Sequence, residues 1–149
     1  MTTYRVADLI DETLDAAVCL AEGWTYYENK HGGISVTRAD GSSYTHGNFR
    51  PKFDADTGRR NPHPTVVEAL TIYGDVGFST DWSLGGPIIA RERIDVTVAG
   101  DFWDGKIVGW RGTEEDGVAF DTLASGPTPL IAAMRAYVAS KFGETVELP

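Results

Sequence analysis

The chain has 149 residues, 42% of them hydrophobic and 23% charged, with a formal net charge of −9. That length suits one domain able to bury about two thirds of the surface its unfolded chain would expose, so folding needs neither a disulfide nor a metal. The negative charge argues against direct nucleic-acid binding, which relies on Lys and Arg to neutralise phosphates, and against adhesion to anionic membranes.

Cys19 is the single cysteine, so an intramolecular disulfide is impossible and a reducing cytosol is the expected compartment. The start, Met1-Thr2-Thr3-Tyr4-Arg5, lacks the basic and apolar regions of a signal peptide. No apolar run approaches the roughly 20 residues that span a bilayer.

In chain order, Ile10, Leu14, Ala17, Val18 and Ala21 repeat at intervals of three and four, which predicts a helix over about 7–22. Asp8 or Asp11 is the expected cap, and Gly23 the stop. Cys19 falls near the apolar stripe and reads as a packing residue rather than a reactive thiol. The segments 24–28 and 34–38 are rich in aromatic and β-branched residues around Gly32-Gly33, which predicts two strands and a hairpin turn. Asp40-Gly41 is a further turn signal.

Residues 46–64, HGNFRPKFDADTGRRNPHP, have no sustained period and read as a long irregular loop, a kind of segment that is usually functional or disordered. Arg50, Lys52, Arg59 and Arg60 make it locally cationic against Asp54 and Asp56. The stretch 65–73 tilts toward helix because Pro64 precedes it.

Gly85-Gly86-Pro87 predicts a turn, with Pro87 opening a short helix. Ile94, Val96 and Val98 alternate with polar residues as in a half-buried strand, and Asp104-Gly105 is expected to close a hairpin into 106–111. Trp103 and Trp110 beside it read as cross-strand packing aromatics. Asp116-Gly117 precedes a short strand over 118–120. The last helix is the best marked. Thr128 caps it, Pro129 occupies its first turn, Gly143 ends it, and Leu130, Ile131, Met134, Tyr137, Val138 and Phe142 form an apolar face. At 1.5 Å per residue it is about 20 Å long, enough to cover a small sheet. Residues 146–148 could add a final strand.

Two helices bracketing short strands predict a single α+β domain over 1–149: two layers, a mainly antiparallel sheet packed by an N-terminal and a C-terminal helix.

The blocks VADLIDETLDAAVCLAEG, FSTDWSLGGPIIARERI and GPTPLIAAMRAYVASKFGETVELP, in that order, resemble the NinX-like family of phage and prophage proteins of unknown function. The resemblance implies a protein made in a bacterial cytoplasm during phage infection or from a prophage. It carries no agreed activity to transfer.

Candidate binding residues cluster in the second block. Thr80 and Asp81 flank Trp82 with polar groups, and Gly85 and Gly86 would open backbone N–H groups to an anion at a helix start. Trp82 could stack on a base. With Arg59, Arg60, Arg91 and Arg93 these residues suggest a non-catalytic site for a small anionic, nucleotide-type ligand, compatible with a homo-oligomer and with sequestration of a host antiviral signal. The competing account is structural: Asp81 as a turn cap, Trp82 in the core, glycines for backbone geometry.

His31, His46 and His63 are not spaced as a zinc motif, and no nucleophile elbow, Walker loop or dinucleotide fingerprint is present. No catalytic residue, metal or cofactor is therefore assigned. Two other readings stay open. One is an acidic interaction protein that blocks a host protein of basic surface. The other is a nucleotide hydrolase using the histidines and Asp54 or Asp56.

Overall fold

The computed structural model describes residues 2–30, 32–47, 55–59, 65–73, 76–111 and 118–148. The elements in order are β1 (Thr2–Arg5), a 3-10 turn (Val6–Asp8), α1 (Asp11–Ala21), β2 (Thr25–Glu28), β3 (Ile34–Thr37), β4 (Ser43–His46), α2 (Val66–Thr71), α3 (Trp82–Glu92), β5 (Asp95–Ala99), β6 (Phe102–Arg111), β7 (Val118–Gly126), α4 (Pro129–Phe142) and β8 (Thr145–Leu148). The class is α+β and every strand pairing is antiparallel, but the strands divide among three sheets, β1-β8, β2-β3-β4 and β5-β6-β7.

The centre of the molecule is α4. Thr128 Oγ1 accepts from Ile131 N at 3.1 Å, Pro129 opens the helix, and every residue from Leu130 to Val138 is buried. The expected single apolar face is therefore a helix buried on all sides, against β6 and β7 on one flank and α1 on another. Side chains such as Leu14, Met134 and Tyr137, each at most 1% exposed, contribute about 1.5–3 kcal/mol apiece to such a core. β8 returns the chain to its start, with Thr2 opposite Leu148 and Arg5 opposite Thr145.

Three local expectations need correction. The helix predicted over 7–22 is broken at Leu9 and Ile10, which are extended, and α1 starts at Asp11 with φ 50°. Neither Asp8 nor Asp11 caps it. Thr13 Oγ1 instead accepts from Ile10 N and donates to Ile10 O. The break lets Leu9 enter the core fully buried and frees its carbonyl for a side chain of α4.

Pro87 does not open a helix: α3 begins five residues earlier, at Trp82, and runs through Gly85, Gly86 and Pro87. A Cβ at Gly85 would lie 2.5 Å from Leu130 Cδ1 and 2.5 Å from Phe78 O, so this glycine admits α4 rather than a turn. Asp104-Gly105 likewise is no turn. β6 passes straight through it, the reversal falls at Gly100-Asp101, and a Cβ at Gly105 would meet Ala132 O at 2.6 Å.

The other described elements lie near their expected positions, although β7 runs from Val118 to Gly126 rather than ending at Phe120, and Asp116-Gly117 lies outside the described residues. β2 and β3 form the hairpin around Gly32-Gly33, with Asn29 N donating to Gly33 O at 2.8 Å. β4 extends that sheet beyond the Asp40-Gly41 turn. α2 is a helix capped by Thr65, whose Oγ1 accepts from Glu68 N. Most of 46–64 lies outside the described residues.

Candidate functional site

Of the residues expected to bind a ligand, Thr80 to Gly86 lie at the start of α3 and Arg91 near its end. Asp81 caps α3: its Oδ1 accepts from Ser83 N at 2.9 Å and from Ser83 Oγ at 2.7 Å, and these bonds hold its carboxyl below the usual carboxylate range. Thr80 and Trp82 stand exposed on either side, Trp82 at 54%. Gly85 is buried and its N–H donates to Asp81 O at 2.9 Å, so it lies one turn inside the helix. Gly86 follows it in the helix interior, with open space where a Cβ would be. Arg93 is the left-handed C-cap of α3. Arg59 is exposed, and Arg60 lies outside the described residues.

Arg91 is engaged elsewhere. Its guanidinium makes a two-pronged bond to Glu22 at 3.1 and 2.7 Å, reaches Tyr137 Oη at 3.1 Å and bonds Glu92 through Nε at 3.2 Å. Tyr137 Oη donates to Glu22 Oε2 at 2.7 Å. This knot ties the end of α1 to α3 and α4. Burial pushes the Glu22 carboxyl up, but the bonds from Arg91 and Tyr137 outweigh it and hold the group below its ordinary value.

Buried polar groups elsewhere read as structural. Asp15 Oδ1 accepts from Ser79 N at 2.9 Å, and burial raises its carboxyl above the usual range. Cys19 is fully buried, and burial reinforced by Asp15 and Glu22 pushes its thiol up to about 12, as suits a packing residue. His46 sits half-buried on β4 opposite Ile34, whereas His31, His63 and Asp54 lie outside the described residues. Among the described residues no cluster of His, Cys, Asp or Glu could hold a metal ion, and no helix is long and apolar enough to cross a membrane.

The feature that sequence reasoning missed is Arg135. It projects from the middle of α4, is only 9% exposed, and donates through Nε to Leu9 O and through Nη1 to Ser125 O, each at 2.8 Å. Among the described residues no carboxylate lies within ion-pair distance of it. Asp8 acts on it only through space, and burial draws its guanidinium below the usual range. The two carbonyls use part of its five donors.

Arg135 lines a groove of about 880 Å³ between the free edge of β7 and the β1-β8 ribbon. Arg5 adds a second cation, Asp101 and Glu144 are the acidic members, and Phe102 and Leu123 add apolar surface. Phe102 is 47% and Leu123 61% exposed. Chemically the groove offers a desolvated positive charge beside apolar walls, a setting in which an anion is held more strongly than in open water. A signal for it existed in sequence. Arg135 falls on the same helical stripe as Ile131 and Val138, and an arginine on an apolar stripe demands partners.

Fold and groove together define a small α+β protein in which one buried helix packs against the β5-β6-β7 sheet and α1, with a guanidinium that has no carboxylate partner among the described residues opening on a groove. The chain belongs to the bacteriophage P22 NinX family, whose model matches residues 5–141. The match runs through residues 26–73 as well as the first two blocks that carried the resemblance, and through the third as far as Lys141. No curated protein matches the chain.

Proposed function

We propose that this phage-family protein is a non-catalytic binding protein for a small anionic ligand of the nucleotide type, held in the groove by Arg135 and Arg5. The observation that carries the reading is the buried guanidinium of Arg135, which opens on the groove with no carboxylate partner among the described residues, in a chain of net charge −9. Burying an unpaired charge is costly, and an anionic ligand would recover that cost. Phe102 and Leu123 offer apolar surface to a base or sugar, and the groove is in the size range of small-molecule sites. Made in a bacterial cytoplasm, such a protein would act by sequestering its ligand, a host antiviral signal being the use best suited to a phage product.

Native mass spectrometry of the protein purified from phage-infected bacteria tests this. A small anion released on denaturation, and missing from Arg135→Gln, supports the reading. Protein that is empty in both forms, and unmoved by any nucleotide in a titration, removes it. The net charge of −9 favours a second reading, an acidic surface that occupies a basic host protein. Its signature is salt-sensitive retention of one host polypeptide by the wild type and by Arg135→Gln alike.

A further inference from the structure

The groove also contains a strand edge with unused hydrogen-bonding groups, and its polarity can be deduced. β5 and β6 are joined by the two-residue turn Gly100-Asp101, with Ala99 opposite Phe102. In such a hairpin the pair flanking the turn exchanges both of its backbone bonds. The backbone groups of Phe102 therefore face β5, and those of Trp103, Gly105 and Ile107 face β7. Their partners in register are Gly126, Ala124 and Thr122. Leu123 and Ser125, the residues between, turn their N–H and C=O away from β6. The contact from Arg135 Nη1 to Ser125 O agrees, since it approaches from that outer side.

β7 is the last strand of its sheet, and no described residue bonds the N–H or C=O of Leu123 or the N–H of Ser125. Both residues line the groove. The Leu123 carbonyl and the Ser125 N–H thus form an acceptor and a donor, two residues apart, on one exposed edge. That pair is satisfied by a neighbour that carries a donor beside an acceptor in one plane.

We infer that this edge reads the amidine face of an amino-substituted nucleobase, adenine or cytosine, whose exocyclic N–H donates to Leu123 O while the adjacent ring nitrogen accepts from Ser125 N–H. The assignment rests on the anion reading above, in which Arg135 and Arg5 hold the phosphate of the same molecule. A fourth β-strand is a poorer occupant, because Arg135 already takes the Ser125 carbonyl that a strand's ladder would need. Guanine, hypoxanthine and uracil present a carbonyl and a ring N–H at the equivalent positions. They would set acceptor against acceptor and donor against donor, so the edge would reject them.

Calorimetric titration with two matched pairs of nucleotides separates the possibilities. Adenosine 5′-monophosphate is expected to bind roughly 10- to 100-fold more tightly than inosine 5′-monophosphate, and cytidine 5′-monophosphate than uridine 5′-monophosphate, as for one two-bond base contact. Arg135→Gln should weaken all four alike. Ser125→Pro should remove the discrimination and keep the weaker affinity, because proline deletes the N–H at an edge position that tolerates it. Equal affinities within each pair, with all four lost in Arg135→Gln, overturn the base reading and leave the anion site standing. Binding of none of the four overturns both. The paired comparison uses the unmutated protein, so a misfolded Ser125→Pro does not decide the matter.

Discussion

Two arginines on neighbouring helices illustrate opposite uses of one side chain. Arg91, at the end of α3, places its fork on Glu22 and completes a knot with Tyr137, and its side chain remains 51% exposed. Arg135, in the middle of α4, is 9% exposed and donates to two neutral carbonyls. The exposed arginine is ion-paired, whereas among the described residues the buried one is not. Compensation at the surface adds little to stability, whereas a buried cation resting on carbonyls keeps its field for something else. The contrast is why the proposed site is built on Arg135 and not on Arg91.

Replacing Arg135 should have the largest effect. Arg135→Ala strips the buried Leu9 carbonyl and the part-buried Ser125 carbonyl of their donors and is expected to cost about 3 kcal/mol in denaturant unfolding, from two lost charge-assisted bonds. A loss below about 1 kcal/mol would mean that water replaces the side chain and that the groove is more open than its burial suggests.

Tyr137→Phe comes next. It removes the hydroxyl that Glu22 accepts from and that also reaches Ala21 O at 3.2 Å, and should cost about 1.5 kcal/mol. Arg91→Ala is expected to be smallest, at most about 1 kcal/mol after solvent screening of a half-exposed group. If Arg91→Ala equals or exceeds Arg135→Ala, the comparison between the two arginines is wrong.

The knot also has a pH signature. Glu22 is held below its ordinary value in the folded state. Its contribution is therefore complete above the unfolded glutamate range, about 4.3, and is lost as pH falls through the lower folded value. Glu22→Gln should flatten the acid limb of a stability–pH curve. Asp15 works the other way: burial raises its folded value, so its charged form weighs against the fold once pH rises through that value. Asp15→Asn should relieve that penalty at neutral pH. An acid limb unchanged in Glu22→Gln would show that the Arg91 bonds are not maintained in solution.

How much of this was legible beforehand differs from element to element. The helix from Pro129 to Phe142 was, because Thr128, Pro129 and Gly143 are local signals that need no tertiary knowledge. The turn at Gly32-Gly33 and the strand around Val96 were as well, and the helix after Pro64 was favoured, though not its Thr65 cap. The glycines were not. Gly85 and Gly105 read as turn residues, yet each marks where α4 presses against a neighbouring element too closely for a Cβ. A glycine tolerates either role, and only the partner's position decides between them.

The same reason governs the site. The identity of Asp81 as a cap was among the structural readings, while Arg135 passed unnoticed because its partners, Leu9 and Ser125, lie 126 and 10 residues away in sequence. By itself the sequence determined the α+β class, the last helix with its Thr128 cap, the buried thiol and the family, all of which rest on local spacing and residue type. Tertiary structure alone decided the division into three sheets, the pairing of Arg91 with Glu22 and the groove beneath β7. Those depend on which distant segments meet, and hydrophobic burial, being non-directional, does not specify that from periodicity alone.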